Sequence, residues 1–160
     1  MLIIATGGTF DKDYQLIDGS LGFSQSCIPS LLNEARITTA HTFMALMSKD
    51  SLDLTLSDRV TLLESCRAAT DSQIVIVHGT DTMTETAAFL QQALGDKTIV
   101  LTGAMRPHAF GHSDASFNLG YAIACAQHLP KGIYIAMQGE CFLACEVTKD
   151  KKRALFVRPH

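Results

Sequence analysis

At 160 residues, 47% hydrophobic and 18% charged, the chain is long enough for one globular domain and too short for two ordinary ones. A formal net charge of −3 argues against a nucleic-acid partner and against an anionic membrane surface, since both select for a basic patch. No apolar run approaches the roughly 20 residues needed to cross a bilayer, and Met1 to Ala5 lacks the basic start of a secretory leader. The expectation is a single domain over residues 1–160 in the cytoplasm.

In chain order, Leu2-Ile3-Ile4-Ala5 reads as a short buried strand ending at Gly7-Gly8. Asp18-Gly19 predicts a two-residue hairpin turn between Tyr14–Ile17 and Ser20–Phe23, because both turn positions need positive φ. Thr42 to Met47 is a core strand running into the polar stretch SKDSLDLT. Ser57 or Asp58 then caps a helix reaching about Ala69. The β-branched run Ile74 to Val77 has the composition of a strand covered on both faces. It ends at His78-Gly79-Thr80-Asp81. A helix follows directly, with Thr82 and Glu85 at capping-box spacing and Met83, Ala87, Leu90 and Leu94 along one face.

Thr98 to Leu101 is another buried strand, ending in TGAMRPHAFGHSD. A helix from about Ser113 to His128 leads through Pro130-Lys131-Gly132 to the strand Ile133–Ala136. Cys141–Val147, with Leu155–Val157 as an optional second arm, reads as an edge hairpin. The basic run Lys149-Asp150-Lys151-Lys152-Arg153 reads as a solvated turn, with a phosphate-binding patch as the minor alternative. The odd set Cys27, Cys66, Cys125, Cys141 and Cys145 contains no CxxC pair, so buried reduced thiols are expected.

Strand and helix alternation predicts an α/β fold with a mainly parallel sheet flanked by helices, with an N-terminal β-hairpin after its first strand. Such sheets bind ligands outside the carboxyl ends of their strands. The unusual residues collect there: Thr6 to Thr9, Lys49 to Thr55, His78 to Asp81 and Thr102 to Pro107. Thr9, after two glycines, is either a turn threonine or a hydroxyl projected at a ligand. With no GxxxxGK[ST] and no GxGxxG, nucleotide binding is disfavoured. Asp81 is either a helix cap or a carboxylate for an ammonium group. Backbone N–H groups beside it suit a developing oxyanion. Lys97, alone among apolar residues, is either a snorkelling surface lysine or a desolvated base beside Thr80 and Asp81. His108 and His112 stand four apart without a carboxylate partner, so no metal is expected.

ATGGTFDK and IVIVHGTDTMTETA resemble the two signatures of the bacterial-type L-asparaginase and glutaminase family. KTIVLTGAMRP is similar to the segment that carries that family's lysine, and SKDSLDLT resembles its substrate loop. The resemblance implies a Rossmann-like asparaginase N-terminal domain that hydrolyses L-asparagine without a cofactor. It implies that Thr9 is the nucleophile forming an acyl-enzyme ester, and that Thr80, Asp81 and Lys97 form a linked proton-transfer triad. Asp50, Ser51 and Gly79, with Thr80 and Asp81, would contact the substrate, and backbone N–H groups of Thr9 and Thr80 would bind the oxyanion. The hairpin would act as a lid. Tyr14 on it is either the tyrosine that helps activate the nucleophile or an aromatic pinning the hairpin.

Family members usually have about twice this length, and a second, smaller domain of a neighbouring subunit completes each site. The sequence stops near the family's interdomain linker, so that domain is expected to be absent and a homo-oligomer, dimer or larger, to complete the site. Leu52 also stands where many members have glutamine. Two alternatives follow: an amidohydrolase acting on glutamine or another amide, or a domain that binds an amino acid or amide without cutting it.

Overall fold

The computed structural model describes residues 1–159. Six strands form the central sheet: β1 (Leu2–Gly7), β4 (Thr42–Lys49), β5 (Gln73–Val77), β6 (Thr98–Thr102), β7 (Gly132–Met137) and β8 (Glu140–Leu143). Their order is β4-β1-β5-β6-β7-β8, parallel except for the last. The all-apolar strands run through the middle, where both faces are covered. Alternation along β1 sends Leu2 and Ile4 to one side and Ile3 and Ala5 to the other.

On the first side, helices α2 (Leu56–Ala68) and α3 (Met83–Gln91) pack Leu62, Leu63, Met83 and Leu90 against Ile76, Ile99 and Leu101. On the second, α1 (Ile28–Glu34) and α4 (Ala115–His128) pack Leu31, Leu32, Leu119 and Ile123 against Val75, Val77 and Val100. The steps β5–α3–β6 and β6–α4–β7 move the same way across the sheet but cross on opposite faces. They therefore have opposite hands, and the β6–α4–β7 crossover departs from the hand of the other helical connections. That reversal carries the 103–114 segment over to the side of the N-terminal hairpin, where Ala109 meets Phe10 and Lys12 around one small cavity.

Several expectations need correction. The N-terminal hairpin exists, but β2 (Lys12–Tyr14) and β3 (Leu21–Phe23) are shorter than predicted and a six-residue loop joins them. The Gln15 N–H donates to the Ser20 carbonyl, and Asp18 accepts from the Ser20 N–H and hydroxyl. Longer strands would gain nothing, because Leu16 and Ile17 have no surface to pack on: they are 90% and 102% exposed. Thr55, not Ser57 or Asp58, caps α2, in a reciprocal box with Asp58. Thr82 makes no side-chain cap on α3, because its hydroxyl is used elsewhere.

The predicted terminal hairpin is two hairpins. β8 closes the sheet edge, while β9 (Thr148–Asp150) and β10 (Leu155–Val157) pair separately. Helix α1 is not among the expected elements, although Ile28, Leu31 and Leu32 stand at helical spacing around Pro29. Of the thiols, Cys66 and Cys125 are buried, Cys27 and Cys141 half-buried, and Cys145 exposed.

Candidate active site

Three loops on the carboxyl rim are joined backbone to backbone. Gly8, at φ 76°, donates its N–H to the Lys49 carbonyl at 2.8 Å, and a Cβ added to it would sit 2.4 Å from Gly79 Cα. A Cβ on Gly79 would in turn lie 2.6 Å from Ser51 Cβ. Only glycine permits this approach. The contacts hold Gly7-Gly8, residues 49–51 and residues 79–81 as one unit, so the loops that carry Thr9 and Thr80 leave from one point of the rim. Thr6 is fixed below them, its buried hydroxyl donating to the Val77 carbonyl at 3.1 Å.

Ser51 is the hub. It is buried, and its Oγ accepts the Asp81 N–H at 3.2 Å. Its carbonyl accepts the Thr82 hydroxyl at 2.7 Å, which is why that hydroxyl cannot cap α3. Asp50 caps the short 3-10 turn Ser51–Asp53, accepting the Leu52 N–H at 3.1 Å, and forms an ion pair with Lys12 of β2. The Lys12 ammonium holds the Asp50 carboxyl below its usual range. Asp50 thus ties the hairpin base to the Ser51 turn.

Arg59, which the sequence did not single out, braces the same turn from behind. Its Nη1 donates to the Leu54 carbonyl at 3.2 Å, Nε to Thr86 Oγ1 at 3.0 Å and Nη2 to Glu85 Oε2 at 3.2 Å. The first turn of α3 is thereby clamped to the end of the Ser51 loop.

The expected link from Thr80 and Asp81 to Lys97 is not formed. Lys97 lies at the opposite end of the sheet, where its ammonium donates to the carbonyls of Ala69 and Asp71, the latter at 3.2 Å. The geometric reason is simple: Lys97 precedes β6, and a parallel strand puts the residue before it on the amino rim. Lys149 stands in the expected place. Its Nζ donates to Thr80 Oγ1 at 2.8 Å and to Asp81 Oδ1 at 2.6 Å, and the side chain is nearly buried. The run 149–153 is therefore only partly a solvated turn, since Lys149, in β9, points inward while 151–154 are exposed. The signal available was the alternation in Glu146-Val147-Thr148-Lys149, which a count of basic residues hides.

Other candidates fall into place by geometry. Thr9 opens a 3-10 turn directly after Gly8 and is half-buried. Tyr14 is largely exposed and folds toward Gly19 across its own hairpin, with no hydrogen bond to Thr9 among the described residues. His78 is fully buried but only half satisfied: Nδ1 meets the Gly79 carbonyl at 2.7 Å, while Nε2 has no partner among the described residues. Burial pushes this imidazole down to about 4. Asp114 accepts from the N–H groups of Met105 and Arg106, and Ser113 donates to the Arg106 carbonyl, so the 103–114 segment is held by its own polar groups.

The family model described as "Asparaginase, N-terminal" matches residues 1–156. The chain belongs to the asparaginase family. Its relatives include the glutaminase-asparaginase of Acinetobacter glutaminasificans, 32% identical over 93% of this chain and 49% of that protein. A probable periplasmic L-asparaginase of Haemophilus influenzae is also 32% identical, over 96% of this chain and 47% of that protein. Among solved structures, the thermostable L-asparaginase from Thermococcus kodakarensis superposes with a TM-score of 0.87 at 29% identity, covering 98% of this chain and 50% of the other. The chain spans about half the length of the asparaginases it matches.

Proposed function

We propose that this chain is an amidohydrolase that converts L-asparagine to L-aspartate and ammonia, with Thr9 as nucleophile. The relay formed by Lys149 with Thr80 and Asp81 carries most weight: a hydroxyl, an ammonium and a carboxylate in hydrogen-bond contact, beside a second threonine on the rim. A scaffold would not need a nearly buried lysine aimed at a threonine hydroxyl.

Thr9 Oγ attacks the side-chain carbonyl carbon of asparagine, and its proton leaves through the Thr80–Lys149–Asp81 group to the amide nitrogen. The C–N bond breaks, ammonia departs and an acyl ester remains on Thr9. Water then adds to the ester, and the Thr9 O–H is restored as aspartate leaves. Because Thr80 Oγ1 accepts from Lys149, its own hydrogen is free to point at the reacting group. Backbone N–H groups of Thr9 and Thr80 serve the oxyanion in both steps. Ser51 sets the position of the substrate's amino-acid end, together with Gly79 and Asp81. Asp50 acts indirectly, through the turn it caps and the hairpin it holds. Tyr14 joins the site when the hairpin closes.

A homo-oligomer completes the site in this proposal. Leu16, Ile17 and Tyr14 on the hairpin and Leu52 and Leu56 beside the Ser51 turn are exposed apolar residues around the same rim, a surface that suits cover by a second copy. A cytoplasmic location is in keeping with five cysteines that all remain thiols.

Ammonia release by the purified chain, with L-asparagine and L-glutamine from micromolar to tens of millimolar, tests the proposal. Saturable turnover that drops by on the order of 10³-fold or more in Thr9→Ala, without loss of fold, is expected. Absence of ammonia while asparagine still raises the Tm makes the chain a binding domain instead.

A further inference from the structure

We propose that a cavity at the amino end of the sheet, remote from the rim that carries Thr9, is a binding site for a small organic carboxylate with an apolar body. The cavity is a groove of about 520 Å³, open to solvent, between α1 and the start of β4, with Asn33, Arg36 and His41 exposed along it. Leu32, Ile37 and Phe43 form its apolar wall.

Arg36 decides the ligand's chemistry. It is the one fixed charge in the lining, no acidic residue shares the cavity, and it enters none of the ion pairs among the described residues. A single planar guanidinium over an apolar wall suits a monoanionic, planar carboxylate; a dianionic phosphate would call for further cations.

The backbone holds Arg36 there against its own preference. Helix α1 ends in a Schellman motif: the Ile37 N–H donates to the Leu32 carbonyl at 3.1 Å and the Arg36 N–H to the Asn33 carbonyl at 2.9 Å. The residue after the C-cap in that motif is left-handed, and here it is Arg36 at φ 51°. Glycine, or failing it asparagine, fits that position far better than a long L side chain. The dipole of α1 favours a cation near this end of the helix, but it does not call for one at the single left-handed position, where a carboxylate site gives the arginine a use. The wall is formed by the same motif, since Leu32 and Ile37 are its hydrophobic pair.

The test uses phenylacetate as probe, followed by residue-resolved amide NMR on the intact chain. Saturable shifts of the amides of Ile37, Thr38 and Phe43 are expected, with a Kd on the order of 1 mM for so small a ligand. Phenethylamine, with the same ring and the opposite charge, is expected to bind at least about tenfold more weakly. Arg36→Gly should lose the response while melting no lower than the parent, because glycine suits the backbone. Arg36→Asn, which also tolerates a left-handed conformation, repeats the comparison if the glycine chain is less stable. Equal shifts with phenethylamine, displacement of phenylacetate by equimolar inorganic phosphate, or a full response in both variants overturns the assignment.

Discussion

Lys149 Nζ lies 2.6 Å from Asp81 Oδ1 and 2.8 Å from Thr80 Oγ1, joining residues that stand 68 and 69 positions apart in the chain. The contact brings β9, beyond the last strand of the sheet, back over the carboxyl end of β5. The separate β9–β10 hairpin is what delivers the lysine.

The two lysines should separate cleanly. Lys149→Met is expected to lower kcat by roughly 10²–10⁴-fold, the usual span for losing a proton-transfer group, with the fold retained. Lys97→Met should leave kcat within about twofold and instead lower stability by about 1–2 kcal/mol, because the carbonyls of Ala69 and Asp71 lose their donor. Steady-state kinetics and denaturant melts on both variants check this. The reverse pattern would return the relay to Lys97.

Gly79→Ala tests the packing of the rim. The new Cβ would sit 2.6 Å from Ser51 Cβ and 2.7 Å from its Oγ, so the Ser51 turn must shift. A stability loss of about 1–3 kcal/mol is expected. The KM for asparagine should rise as well, since Ser51 would no longer meet the Asp81 N–H.

Arg59 fixes the Ser51 turn against α3 and, in the proposed mechanism, acts at one remove from substrate. Arg59→Ala leaves the Leu54 carbonyl and Thr86 without their donor and should cost about 1–3 kcal/mol. Its kinetic signature is a KM raised several-fold more than kcat is lowered. Arg59→Lys should recover only part of this, because an ammonium cannot span three acceptors in one plane.

His78 sets a pH dependence of stability. Folded, its imidazole titrates at about 4 because burial penalises the cation; unfolded, it titrates near 6.5. Between those values the unfolded chain binds the extra proton. Stability is therefore full above about pH 6.5 and falls as pH drops toward 4, by on the order of 3 kcal/mol. Asp50 and Asp58, both held below the usual carboxylate range by lysine partners, add losses only at lower pH. Melting curves from pH 8 to pH 4 read the effect, and His78→Leu should flatten it.

The strands and most helices were legible because apolar periodicity reports burial directly. Ile74 to Val77 has to be a covered strand, and Met83, Ala87 and Leu90 have to face it. Parallel alternation then placed Thr9, Ser51, Thr80 and Asp81 on one rim, since a residue just after a parallel strand reaches the carboxyl edge wherever the strand sits. Adjacency in the sequence could not say what meets those residues. Thr82 stood at capping-box spacing, yet its hydroxyl went to Ser51, because a buried carbonyl from a distant loop outbids a local N–H. Lys97 sat beside the right strand but before it, on the wrong rim, while Lys149 looked like part of a solvated basic run. Which lysine reaches Asp81 depends on where the chain returns after the last strand, and only the tertiary structure decides that.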